Sequence, residues 1–127
     1  MEKNPPIRSF RDLRVWQAAM DLVEQVYLLT QALPKHELYG LASQMQRAAV
    51  SIPSNSAEGH TRSHSEEYLH HISMARASLA ELQTRLEITL RLKYSSPAEL
   101  SRVVEQADAL GRQLSSLWNV LTKNTNP

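Results

Sequence analysis

Cysteine is absent from the chain. That excludes disulfide scaffolds, thiolate zinc sites and cysteine nucleophiles together. Glycine occurs three times and phenylalanine once. With few β-branched runs, this composition disfavours sheets and leaves an all-helical fold. Nowhere do about 18 apolar residues follow one another, and the opening MEKNPPIRSFRDLR has no apolar run of signal-peptide length, so a cytoplasmic protein outside any membrane is expected. Neither sign of charge dominates: 14 Lys and Arg against 13 Asp and Glu leave a net charge of +1, far from the basicity of a dedicated nucleic-acid binder. Phosphate loops, dinucleotide fingerprints and nucleophile elbows are missing, although Ser51, Glu58 and His60 have the residue types of nucleophilic catalysis. No enzyme and no cofactor is therefore expected.

What is present suits one compact domain. A chain of 127 residues with 42% hydrophobic content can bury a small core. The reading is a single domain over 1–127, with disordered ends at about 1–8 and 123–127. Four helices are expected. The first runs from about Arg11 to Ala32, where Leu33-Pro34 breaks it, because the residue before a proline is pushed out of the helical region. It carries two apolar stripes: Leu13, Trp16, Met20, Val23 and Tyr27, and beside them Val15, Ala19, Leu22, Val26, Leu29 and Leu33. One core needs one stripe, so the second calls for another partner.

The second helix opens near Lys35 and buries Leu38, Leu41, Met45, Ala49 and Ile52. Pro53 follows. An interior proline removes a backbone donor and crowds the carbonyl of Ala49, at a cost of roughly 3 kcal/mol. Either the helix ends at Ile52, or it kinks and continues to Glu58 while Ser51, Ser54, Asn55 and Ser56 satisfy freed carbonyls. In both cases Gly59 is expected to cap it. The third helix should open with a capping box at Ser63 to Glu66, carry Leu69, Ile72, Ala75, Leu79, Leu82 and Leu86, and end near Lys93. Ser96-Pro97-Ala98-Glu99 repeats that cap before a fourth helix with Leu100, Val103, Ala107, Leu110, Leu114, Leu117 and Leu121. Short connections make consecutive helices antiparallel, which gives an up-down-up-down four-helix bundle.

Arg47, Ser51, Asn55, Glu58 and Arg62 advance in steps of about four, so a continuous helix presents them on one face. They are expected to form a structural polar network between the second and third helices, with Arg47 and Glu58 as paired charges. The competing reading is a ligand site with the arginines as phosphate or carboxylate clamps. His60 and His64, with Glu67 and His71 beyond them, have a spacing that could present two nitrogens to a metal. A loop at Gly59 to Arg62 would destroy that geometry, and no metal is expected. Modest basic clusters at Arg8, Arg11 and Arg14 and at Arg91 and Lys93 are the candidate nucleic-acid contacts, through backbone phosphates and multiplied by any oligomer.

Phe10, Asp12, Leu13, Val15 and Trp16 carry a resemblance to a known family. It continues through Glu37, Tyr39, Gly40, Leu41, Gln44, Arg47, Ala48, Ser51, Ile52, Asn55, Ala57, Glu58 and Gly59, then Arg62, Glu67, Tyr68, Ala75, Ser78, Leu79 and Glu81. This pattern resembles the four-helix-bundle proteins encoded in intervening sequences of bacterial 23S ribosomal RNA genes. Ser56, where isoleucine is expected, and Arg76 and Ala77, where a glycine often sits, depart from it. The resemblance implies a barrel-shaped homopentamer. The accessory protein of diversity-generating retroelements is similar to this family, which implies RNA, an RNA-DNA hybrid or other DNA as a partner, or docking on a larger protein such as a reverse transcriptase.

Overall fold

The computed structural model describes residues 6–125, and all regular structure among them is helical. Four long helices carry it: α1 (Arg14–Gln31), α2 (Ser43–Thr61), α3 (Ser65–Arg91) and α4 (Pro97–Thr125). At about 1.5 Å of rise per residue, the 27 residues of α3 and the 29 of α4 make rods of roughly 40 Å. The helices touch in a cycle, α1 with α2, α2 with α3, α3 with α4 and α4 with α1. Among the described residues no helix is long and apolar enough to cross a membrane.

The core decides between the two stripes of α1. Val15, Ala19, Leu22, Val26 and, beyond the helix, Leu33 are buried with Met45, Ala49 and Ile52 of α2, Ile72, Leu79 and Leu82 of α3, and Leu110 and Leu114 of α4. The stripe containing Met20 and Tyr27 faces outward. The start also differs from the expected one. Phe10–Asp12 forms a separate 3-10 turn, closed by Ser9 and Asp12 as a capping box, and extended Leu13 divides it from α1. Of the ends expected to be disordered, residues 1–5 and 126–127 lie outside the described residues. The Arg8 amide is held by Asp12 at 2.9 Å, and α4 runs on through 123–125.

Before α2 lies a 3-10 turn, Lys35–Glu37, and then a wide π turn, Leu38–Ala42, so the helix proper begins later than periodicity suggests. Leu38, expected in the core, is 55% exposed because it sits in that turn. Glu37 organises the turn. One carboxylate oxygen accepts from the Leu41 amide at 3.3 Å, and the other from the Tyr94 hydroxyl at 3.0 Å. That hydrogen bond to Glu37 is the main cause raising the Tyr94 pKa, because it holds the neutral phenol.

Pro53 does not end α2, which continues to Thr61. Three consecutive side chains bond back one turn: Ser54 to the carbonyl of Val50, Asn55 to that of Ser51 and Ser56 to that of Ile52, all within 2.9 Å. These carbonyls lie just past that of Ala49, the one the proline deprives. Gly59 is no cap either. It is buried inside the helix, and a Cβ there would stand 2.7 Å from His71 Cβ and 3.3 Å from the Tyr68 carbonyl oxygen. Closeness to α3, and not a left-handed backbone, is what requires glycine.

The capping box expected at Ser63 is not formed; His64 precedes α3 in extended conformation without a side-chain cap. The box at Ser96 is formed, with Glu99 accepting from the Ser96 amide at 3.0 Å and the Ser96 hydroxyl accepting from the Glu99 amide at 3.2 Å. Hydrogen bonds from Ser96 lower the Glu99 pKa. α3 stops at Arg91 and closes with paired bonds, Tyr94 amide to Thr89 carbonyl and Lys93 amide to Leu90 carbonyl, across a left-handed Lys93 with φ 61°.

Two of the glycines should respond oppositely to alanine. Gly59→Ala forces α2 and α3 apart and should cost about 1–3 kcal/mol of stability in urea unfolding. Gly111→Ala, whose Cβ meets only Leu79 Cδ2 at 3.4 Å, should gain up to about 1 kcal/mol from lower chain entropy in the unfolded state.

Candidate functional site

The polar face of α2 meets α3 midway along both helices. Asn55 is buried and donates to the carbonyl of Ser51 at 2.9 Å and to its hydroxyl at 3.0 Å. Ser78 of α3 donates to the same hydroxyl at 2.8 Å, and His71 Nδ1 lies 3.1 Å from Asn55 Oδ1. Since Asn55 spends its amide hydrogens on Ser51, its oxygen takes the His71 proton, which fixes that ring's tautomer. Glu58 pairs with Arg62 at 2.7 Å, and its carboxylate is 4.0 Å from His71 Nε2.

The structure thus brings together Ser51, Asn55, Glu58 and Arg62 and adds His71 and Ser78. Arg47 stands apart. It is exposed, forms no ion pair among the described residues, and borders a cleft with Tyr27, Val50 and Ser51. The expected pairing with Glu58 fails on distance: eleven residues separate them, about 16 Å of helical rise. Ser78 and His71 were beyond sequence reasoning because they are tertiary neighbours, and His71 drew notice only as a metal ligand. Chemically, the cluster ties two helices together. The Ser51 hydroxyl is engaged by Asn55 and Ser78, and His71 is directed at Asn55, so no base is aimed at a serine.

The other histidines are dispersed. His60, in the last turn of α2, meets the edge of Tyr68 at 5.8 Å, while His64 lies in the extended link to α3. Among the described residues no group of three His, Asp or Glu side chains is placed to hold a metal ion.

The basic candidates fall at two ends. Arg8, Arg11 and Arg14 are exposed around the turn before α1, where Phe10 packs on Trp16 at 5.3 Å and Arg11 lies 4.8 Å over the Phe10 ring. Arg91 and Lys93 close α3, and their neighbour Tyr94 touches His36 in the α1–α2 connection. The 18 residues of α1 therefore separate the two groups by about 27 Å. Arg91 is also paired with Glu87 at 3.3 Å.

The outer surface of α1 and α2 is apolar. Met20 and Tyr27 are 41% exposed and Val50 40% exposed, beside a cleft of about 330 Å³ lined by Trp16, Met20, Val23, Val50, Pro53, Ser54 and Ala57. Substitutions should separate brace from surface. Asn55→Ala strands His71 and Ser51 and should cost about 1–3 kcal/mol. Arg47→Ala should leave the melting temperature within a degree or two, as for other exposed, unpaired side chains.

A comparison with curated proteins finds no match. Against protein-family models, residues 11–116 match the model described as 23S rRNA-intervening sequence protein. That stretch takes in all of α1, α2 and α3 and most of α4, and the chain belongs to the 23S rRNA-intervening sequence protein family.

Proposed function

We propose that the chain is a non-enzymatic homo-oligomer of up-down-up-down antiparallel bundles that binds nucleic acid through backbone phosphates. The bundle topology is supported by the direction of the contacts. Gln44 meets Arg85, Ser51 meets Ser78 and Asn55 meets His71, while Gln83 meets Asp108 and Ser73 meets Trp118, so partners recede from one another in sequence.

The apolar face of α1 and α2 carries the proposal. A contiguous surface holding Met20, Tyr27 and Val50 is costly to leave in water, at about 25 cal/mol per Å² of apolar area, and assembly covers it. Five copies is the number that the resemblance implies. Assembly also supplies what the monomer lacks. Arg8, Arg11 and Arg14 are three exposed cations within seven residues, and the nearby Asp12 is engaged by backbone amides. Repetition around a ring makes them a cationic rim, with Lys93 on the opposite rim. Arg11 and Arg14 lie close to the start of α1, where the helix dipole disfavours cations, so their charge does not serve that terminus.

Light scattering of the purified protein should return a multiple of 14.4 kDa. Met20→Glu should reduce it to a single folded chain, whereas Leu22→Glu, at a fully buried position, should unfold it. A single-chain mass for the unmodified protein at micromolar concentration refutes the assembly.

Filter binding with structured RNA and duplex DNA tests the phosphate contacts. Retention should fall steeply with salt, and one arginine fewer per subunit should flatten the slope of log affinity against log salt. Retention that is absent at low salt, or indifferent to both salt and the Arg11→Glu, Arg14→Glu pair, removes nucleic acid and leaves docking on a larger protein, such as a reverse transcriptase, as the function.

A further inference from the structure

Tyr39 is 92% exposed, more than any other large apolar side chain among the described residues. It does not stand on a loose loop. The π turn that presents it is tied by Glu37 to the Leu41 amide and to the Tyr94 hydroxyl. A braced turn that offers an aromatic ring to solvent has the form of an interface anchor.

A complementary feature lies across the molecule. Between α3 and α4 is a groove of about 380 Å³ with Leu86, Leu90, Leu100 and Val104 on its walls and Glu87 and Asp108 at its rim. Asp108 accepts from the neutral Gln83 amide and has no ion pair among the described residues. Lys35, four residues before Tyr39, has none either. Ring and apolar walls match in chemistry, and Lys35 and Asp108 match in charge.

Their placement determines what kind of contact is possible. The cycle of helix contacts puts the α1–α2 connection and the α3–α4 groove on opposite sides of the molecule. Tyr94 touches both His36 and Glu37, so the connection is level with the end of α3, where Leu90 and Pro97 border the groove. We infer that Tyr39 of one copy seats in the α3–α4 groove of the next. Such a contact joins two different patches, so it is head-to-tail. With knob and groove at the same height, copies are related by rotation with little translation, and the array closes into a ring instead of growing as a filament. The inference rests on the homo-oligomeric reading above and specifies its geometry.

Two single variants and their mixture provide the test. Tyr39→Ala lacks the knob and keeps the groove; Val104→Arg blocks the groove and keeps the knob. Both positions are exposed, so each variant should keep the helical circular dichroism of the parent, and Ser101→Arg at the groove's edge replaces Val104→Arg if the latter misfolds. By light scattering each variant alone should weigh 14.4 kDa, and an equimolar mixture should give a dimer of twice that mass, because one intact contact forms and both remaining ends are defective. A parent protein that is itself a single chain overturns the assembly along with this contact. A parent oligomer whose mass survives Tyr39→Ala, or a mixture that stays at 14.4 kDa, overturns the contact alone. Tyr39→Ala that keeps the oligomer and loses RNA retention assigns the ring to base stacking and overturns the contact as well.

Discussion

The close approach of α2 to α3 at Gly59 is the constraint on which the rest of the structure depends. A Cβ at that position has no room, because His71 Cβ and the Tyr68 carbonyl already occupy the space. The α2 face toward the core is built of small residues, with Ala48, Ala49 and Ser56 buried alongside the glycine. Small side chains let the helix axes lie near each other, and only at such a separation can Asn55 reach His71 and Ser51 reach Ser78. The polar brace is a consequence of the close packing, and it penalises any sliding of one helix along the other, since each short side chain has one partner.

The proline in α2 is tolerated within the same arrangement. Its ring is buried on the side of Trp16, Met20 and Val23, and the three following side chains bond back to carbonyls of the preceding turn. A helix interrupted in isolation is continuous here because packing on two sides outweighs a loss of roughly 3 kcal/mol. Ser56 can be read in the same terms: an apolar side chain would fill the volume but leave the Ile52 carbonyl without the bond that Ser56 supplies.

Charge and apolar surface are distributed in a way that bears on function. The cations form two groups at opposite ends, and a single copy offers neither a continuous basic track nor a cluster of titratable groups suited to catalysis. Its outer faces, by contrast, hold apolar side chains on α1 and α2 and an apolar groove on α3 and α4. Those features favour a protein that works as an assembly.

The helical class, the approximate extent of all four helices, the Ser96 cap and the family resemblance were legible from the sequence, because each rests on local spacing or on a motif. So was the membership of Ser51, Asn55, Glu58 and Arg62 in one polar face, which follows from helical periodicity. The exclusion of Arg47 could have been read from axial rise, since a shared face does not imply contact. Three matters were decided only by tertiary structure. Both stripes on α1 are equally periodic, and only the positions of the other helices choose which is buried. Pro53 could break or bend its helix according to local energies alone, and packing selects continuation. Gly59 carries a cap signal in the sequence, yet its reason is a neighbouring helix, which no pattern local to the chain can reveal.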